Sequence, residues 1–208
     1  YLSMCGNGTI SGDLNTALGN AASRCITSGS ENTSLGYISG LSNSTGSNNT
    51  FVGASSGQNN TTASNNTAVG KSSLCSNTTG SQNIAIGHSA LIANTTAENN
   101  TAVGFRALCS TTTGFDNAAV GRNALASNTA SSNTAVGAFS LNSNTTGTKN
   151  TSVGKCTLAS NTTGNCNTAL GVDALTTNST GANNTGIGEQ ALRNATGDGN
   201  DALGHAAG

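Results

Sequence analysis

The stretch that decides the fold is Asn66-Thr67-Ala68-Val69-Gly70-Lys71-Ser72-Ser73-Leu74-Cys75-Ser76-Asn77-Thr78-Thr79-Gly80, matched further along by the segment from Asn133 to Gly147. With the leading Asn as position one, the unit recurs from Asn15, Asn32, Asn49, Asn66, Asn83, Asn100, Asn117, Asn133, Asn150, Asn167, Asn184 and Asn200. The spacing is 17 residues, shortened to 16 after Asn117 and again after Asn184. Twelve starts in one register are the mark of a repeat architecture.

Composition sets the limits within which that repeat must fold. Gly, Asn, Thr and Ser supply 118 of the 208 residues, only 34% of the chain is apolar, 7% is charged, and Trp and Pro are absent. An ordinary globular core, built from roughly 45–50% apolar residues, is excluded. The net charge is -1 and the charges are scattered singly along the chain, which leaves no electrostatic footprint for nucleic acid or an anionic membrane. No aliphatic run approaches the ~20 residues of a membrane helix. The opening Tyr1-Leu2-Ser3-Met4 lacks the basic and apolar stretch of a signal peptide, and the chain reads as a piece of a longer fibre.

Position four is aliphatic in every unit: Leu18, Leu35, Val52, Val69, Ile86, Val103, Val120, Val136, Val153, Leu170, Ile187 and Leu203. Position five is always Gly, as a short strand ending in a sharp corner requires. Position nine adds a second apolar row from the fourth unit on: Leu74, Leu91, Leu108, Leu125, Leu141, Leu158, Leu175 and Leu192. Seventeen residues with an obligatory Gly cannot hold a helix pair, so the unit predicts one coil of an all-β, parallel β-solenoid of about twelve coils. Residues 1–14 read as a partial coil and residues 15–208 as the twelve-unit array. At strand spacing, the array would be roughly 56–59 Å long.

Bulk suggests that the position-four row is the core. Alternation then puts the mainly Thr position-two row on the same inner side and turns position three outward. That third row is small: Ala17, Ala68, Ala85, Ala102, Ala119, Ala135, Ala169 and Ala202, with Phe51 the exception. An outward row of this kind suits close approach by another rod, and it is the expected subunit contact. Units one to three have Ser23, Gly40 and Gly57 at position nine, so their core is expected to be thinner unless Ile26, Ile38 or Leu41 compensates.

The unit N-T-A-V-G-x-x-A-L-x-S-N-T-T-G resembles the repeats of phage-type tail-fibre proteins and related bacterial surface proteins. Its N-T-A-V-G core is similar to the head repeats of trimeric autotransporter adhesins, whose unit is shorter than seventeen residues. The resemblance spans essentially the whole chain. It implies a parallel β-roll, three chains packed as a homotrimer, and an extracellular, cell-surface or virion-surface fibre that attaches to a host glycan or receptor.

Little in the sequence points to chemistry. Cys75 and Cys109 share position ten but lie two coils apart, beyond disulfide reach. Cys5 and Cys25 fall three positions out of register, and Cys156 and Cys166 share one coil. There is no Cys/His cluster with metal-ligand spacing, and no metal or other cofactor is expected. His88 and His205 are far apart along the rod, and no two carboxylates share a face position in neighbouring coils. Gly6-Asn7-Gly8 and Gly186-Ile187-Gly188 lack the strand-to-helix context of a phosphate loop, so an enzyme is not expected. The sequons at position twelve, Asn43, Asn77, Asn94, Asn144, Asn161 and Asn178, read either as glycan acceptors or as corner residues stacked in ladders. Two functions follow. One is a non-catalytic adhesive fibre segment. The other is a monomeric ice-binding solenoid, which would need an outward Thr row, whereas the inward assignment of position two leaves only corner pairs such as Thr78-Thr79 outside.

Overall fold

A computed structural model describes residues 11–208 as a single stack of coils. Each unit contributes one three-residue strand. In chain order these are β1 (Thr16–Leu18), β2 (Thr33–Leu35), β3 (Thr50–Val52), β4 (Thr67–Val69), β5 (Ile84–Ile86), β6 (Thr101–Val103), β7 (Ala118–Val120), β8 (Thr134–Val136), β9 (Thr151–Val153), β10 (Thr168–Leu170), β11 (Thr185–Ile187) and β12 (Asp201–Leu203). They form one parallel sheet in sequence order. The register holds position to position, for example Ala68↔Ala85 and Val69↔Ile86. It also survives both shortened units, where Ala118 pairs with Thr134 and Thr185 with Asp201. The missing residue falls in the corner after position twelve, where Asn128 and its carbonyl partner Ala130 are two residues apart instead of three. Below the first coil, Ser11 donates to the Thr27 carbonyl and the Asp13 amide to Ser30 Oγ, while the rest of the expected partial coil lies outside the described residues.

Coils are joined all round their perimeter. On the side opposite the sheet, Leu91 donates to the Ala107 carbonyl at 3.0 Å and Leu108 to Ala124 at 3.1 Å. That second face is a run of turns and not a strand, because positions seven and nine both sit at left-handed φ, as at Arg106 (54°) and Leu108 (51°). Bulky residues rarely adopt this conformation. Here coil-to-coil hydrogen bonding and burial of the Leu side chain offset the cost. Gly at position five has two reasons to be obligatory. Gly121 has φ of 134°, and a Cβ there would stand 2.6 Å from the Gly137 carbonyl carbon of the next coil.

The inside and outside of the sheet are the reverse of the assignment made from bulk. Position three points inward: Ala68, Ala85, Ala102, Ala119 and Ala135 are fully buried, Ala169 nearly so, and only the end-coil members Ala17 and Ala202 are half-buried. Position four points outward, with Leu18, Ile86, Val120, Val136, Leu170 and Leu203 exposed and Leu35, Val52, Val69, Val103, Val153 and Ile187 half-exposed. The position-nine row is inside as expected, from Leu74 to Leu192. The physical reason is lumen width. Leu reaches across from position nine and leaves room for a methyl group at position three, so the larger aliphatic row has to stand outside. Phe51 demonstrates the constraint. It is the one large residue at position three, it is fully buried, and both Gly40 and Gly57 stand opposite it where later coils have Leu. A Cβ on Gly40 would lie 2.9 Å from the Phe51 ring, and one on Gly57 would overlap it.

Two polar ladders complete the interior. At position one, Asn100 Nδ2 donates to the Gly114 carbonyl of its own coil, and its backbone amide donates to Asn83 Oδ1 one coil below. At position twelve, Asn77 Nδ2 donates to the Gly80 carbonyl and to Asn60 Oδ1, at 2.9 and 2.8 Å. Where position twelve is Asn, the corner carbonyl is thus held by two amides, as at Gly80, which accepts from Asn66 and Asn77.

Candidate interaction face

The outer sheet face carries two parallel rows, position two and position four, on strands that repeat every 4.7–4.9 Å. Thr dominates the first row and is replaced by Ile84, Ala118 and Asp201. The second row is wholly aliphatic. From β1 to β11 neither row contains a charge. Three residues wide and twelve strands long, the strip covers on the order of 600 Å². The aliphatic row makes up about half of this strip, the Thr row the rest; the largest apolar patch on a soluble monomer is itself about 300–600 Å² and is often functional.

Two corners flank this face. The corner after the strand carries His88, whose ring stacks on Phe105 with centroids 5.6 Å apart, and Arg122, which lies 5.1 Å over the ring of Phe139. His88, Phe105, Arg106, Ile92 and Cys109 line a shallow groove there, of about 290 Å³. The corner before the strand carries a second groove of about 220 Å³ at the same height, lined by Thr96, Glu98, Asn99, Thr113 and Phe115.

The remaining candidates are not brought together into a reactive site. His88 Nδ1 is 3.1 Å from Ser89 Oγ, whereas His205 Nδ1 is 3.3 Å from the Glu189 carbonyl in coil eleven. Cys25, Cys75, Cys109, Cys156 and Cys166 are all unbonded, and Cys5 lies outside the described residues. Burial pushes the Cys75 thiol up, which lowers its thiolate fraction and its nucleophilicity. Among the described residues no cluster of His, Cys, Asp or Glu has the makings of a metal site, and no helix is long and apolar enough to cross a membrane. The position-twelve sequons resolve as ladder residues. Asn43, Asn77, Asn94, Asn144, Asn161 and Asn178 are fully buried, and each donates Nδ2 to a corner carbonyl, so in the folded coil that nitrogen is not open to glycosylation.

The geometry defines a class, a parallel β-solenoid repeat protein with one outward uncharged sheet face. No protein-family model, curated protein or solved structure matches the chain.

Proposed function

We propose that the protein is a non-catalytic fibre element that associates with copies of itself, as a homotrimer, through the outer face of its sheet and presents its corners at a cell or virion surface to a glycan or receptor. The observation that carries this reading is the position-four row, an unbroken line of aliphatic side chains left in solvent by the coil's own packing. Burying each Val, Ile or Leu contributes up to about 1.5–3 kcal/mol, so covering even half of the row is a large driving force. The contact surface is therefore not the Ala row at position three, whose side chains are consumed within the coil.

Mass in solution tests the proposal. An assembly of about three times 20.2 kDa is expected, and Val103→Lys with Val120→Lys should return it to 20.2 kDa while the far-UV spectrum persists. A wild-type monomer would overturn it.

The outward Thr row supports a second reading, ice binding, by removing the objection that position two faces inward. It is the weaker of the two. Ordering water as ice requires equal rungs, whereas Ile84 and Ala118 interrupt the Thr row and Leu, Ile and Val alternate in the other. Thermal hysteresis measured on a monomeric sample would favour ice binding over the fibre.

A further inference from the structure

Charges that look scattered along the chain segregate once they are read by position within the coil. The corner before the strand, positions sixteen and seventeen, holds Asp13, Glu31, Glu98 and Asp116. The corner after it, positions six and seven, holds Lys71, His88, Arg106, Arg122 and Lys155. All of these are exposed. The uncharged sheet face is therefore bordered on one side by Glu98 and Asp116, in coils five and six, and on the other by Lys71, His88, Arg106 and Arg122, in coils four to seven. Each edge also carries an exposed phenylalanine from the same coil, Phe115 beside Asp116 and Phe105 beside Arg106.

We infer that these edges set the direction and height of self-association: Glu98, Phe115 and Asp116 of one copy meet His88, Phe105 and Arg106 of the next. The inference rests on the self-association proposed above. When rods run parallel around a common axis, each copy turns its leading edge to its neighbour's trailing edge at unchanged height, so acid meets base and Phe115 meets Phe105. When two rods pair face to face and antiparallel, like edges meet, and acidic corners are set against acidic ones. The groove lined by His88, Phe105 and Arg106 gives Phe115 an aromatic and cationic bed. Opposite charges around it supply orientation more than raw affinity.

The contact is confined to coils five to seven because the pattern lapses above them. Lys149 sits on the acidic edge, and Asp173 and Glu189 on the basic one. Asp198 then faces Glu189 with like charge in coil eleven, which opposes close approach of the edges there.

Charge reversal tests the inference, read by mass and by dissociation on dilution. Glu98→Arg with Asp116→Arg should weaken association at least tenfold, as should Arg106→Glu with Arg122→Glu, and all four substitutions in one chain should restore the original mass. Equimolar mixing of the two reversed pairs should yield no assembly of mixed composition that matches wild-type stability, because each mixed ring retains a like-charged edge. If the wild type assembles and neither reversal changes its stability, the edges play no part and this inference alone falls. If reversal weakens association but the fourfold variant does not recover, acid-to-base pairing is refuted. A wild-type monomer removes the proposed function itself.

Discussion

Coils one to three and coils four to ten follow the same backbone path with different interiors. In the later coils, a Leu at left-handed φ fills the lumen and a methyl group faces it, as at Leu108 and Ala102. In the earlier coils, position nine is Ser23, Gly40 or Gly57. Gly40 and Gly57 adopt φ of 57° and 55° without the steric penalty that Leu bears at the same place. The volume lost there is returned from the opposite wall by Phe51. Coil one has a different solution, with Ile26 fully buried at position twelve where most other coils have a ladder Asn. Ser23 Oγ donates to Ser34 Oγ at 2.7 Å, so a polar contact stands where an apolar one stands later. Ile38 and Leu41 stay half-exposed and do not compensate. The lesson is that the lumen conserves volume per coil, and the sequence is free to supply it from either side.

The largest effect should come from forcing volume into the well-filled half. Ala102→Arg drives a long cation into a lumen with space for a methyl group, and the loss should exceed 4–5 kcal/mol, read as collapse of the cooperative denaturant transition. Its neighbour Val103→Arg projects into solvent and should leave the stability of the isolated rod within about 0.5 kcal/mol. If the two variants exchanged outcomes, the inside and outside of the sheet would be reversed.

Next in size is Phe51→Ala, expected to cost about 3–5 kcal/mol, because one side chain supports two coils. Leu108→Ala should cost about 2–5 kcal/mol and affect mainly its own coil and nearest neighbours. Amide exchange separates the cases: Phe51→Ala should deprotect coils one to three while coils five to ten remain slow. A sharper form of the comparison converts one interior into the other. Gly57→Leu alone should be destabilising because the ring of Phe51 occupies the space, whereas Gly57→Leu together with Phe51→Ala should recover much of the loss. The backbone there already has the φ that Leu74 adopts at 51°. A coupling energy of about 1–3 kcal/mol is expected, and additive effects would show that the two walls do not share one volume.

The repeat, the place of the short strand within it, the corner Gly and the position-nine core row were legible in the sequence because periodicity fixes them, whereas the replacement of a second strand by turns at left-handed φ was not. Which side of the strand faces inward was not. Alternation gives parity and leaves two solutions, and the choice by bulk failed because the lumen is narrower than a Val opposed to a Leu. The deciding signal was nonetheless present, since Phe51 at position three coincides with Gly40 and Gly57 at position nine. The bordering edges were missed for a related reason. Charges such as Glu98 and Arg106 look isolated along the chain, and only their places within the coil reveal that they fall on opposite corners.

The smallest predicted effect concerns the second ladder, which is complete in some coils and broken in others. Among the described residues, Asn94 Oδ1 and Asn178 Oδ1 are buried without a donor. Each lies directly below a coil that lacks the ladder Asn, having Thr111 or Ala195 at position twelve. Thr111 has an alternative, donating Oγ1 to the Asn128 carbonyl at 2.8 Å, so replacing it would exchange one hydrogen bond for another. Ala195 has no side-chain donor to lose. Ala195→Asn should therefore supply the missing donor to Asn178 and stabilise the rod by about 1 kcal/mol. The shortened corner after position 195 is no obstacle, because Asn128 occupies the same place in the other shortened coil and donates to Ala130 at 2.7 Å. A rise in denaturation midpoint with unchanged slope is the expected result. No rise would mean that the orphaned oxygen of Asn178 is satisfied by solvent near the end of the array, and that ladder continuity matters only deeper within it.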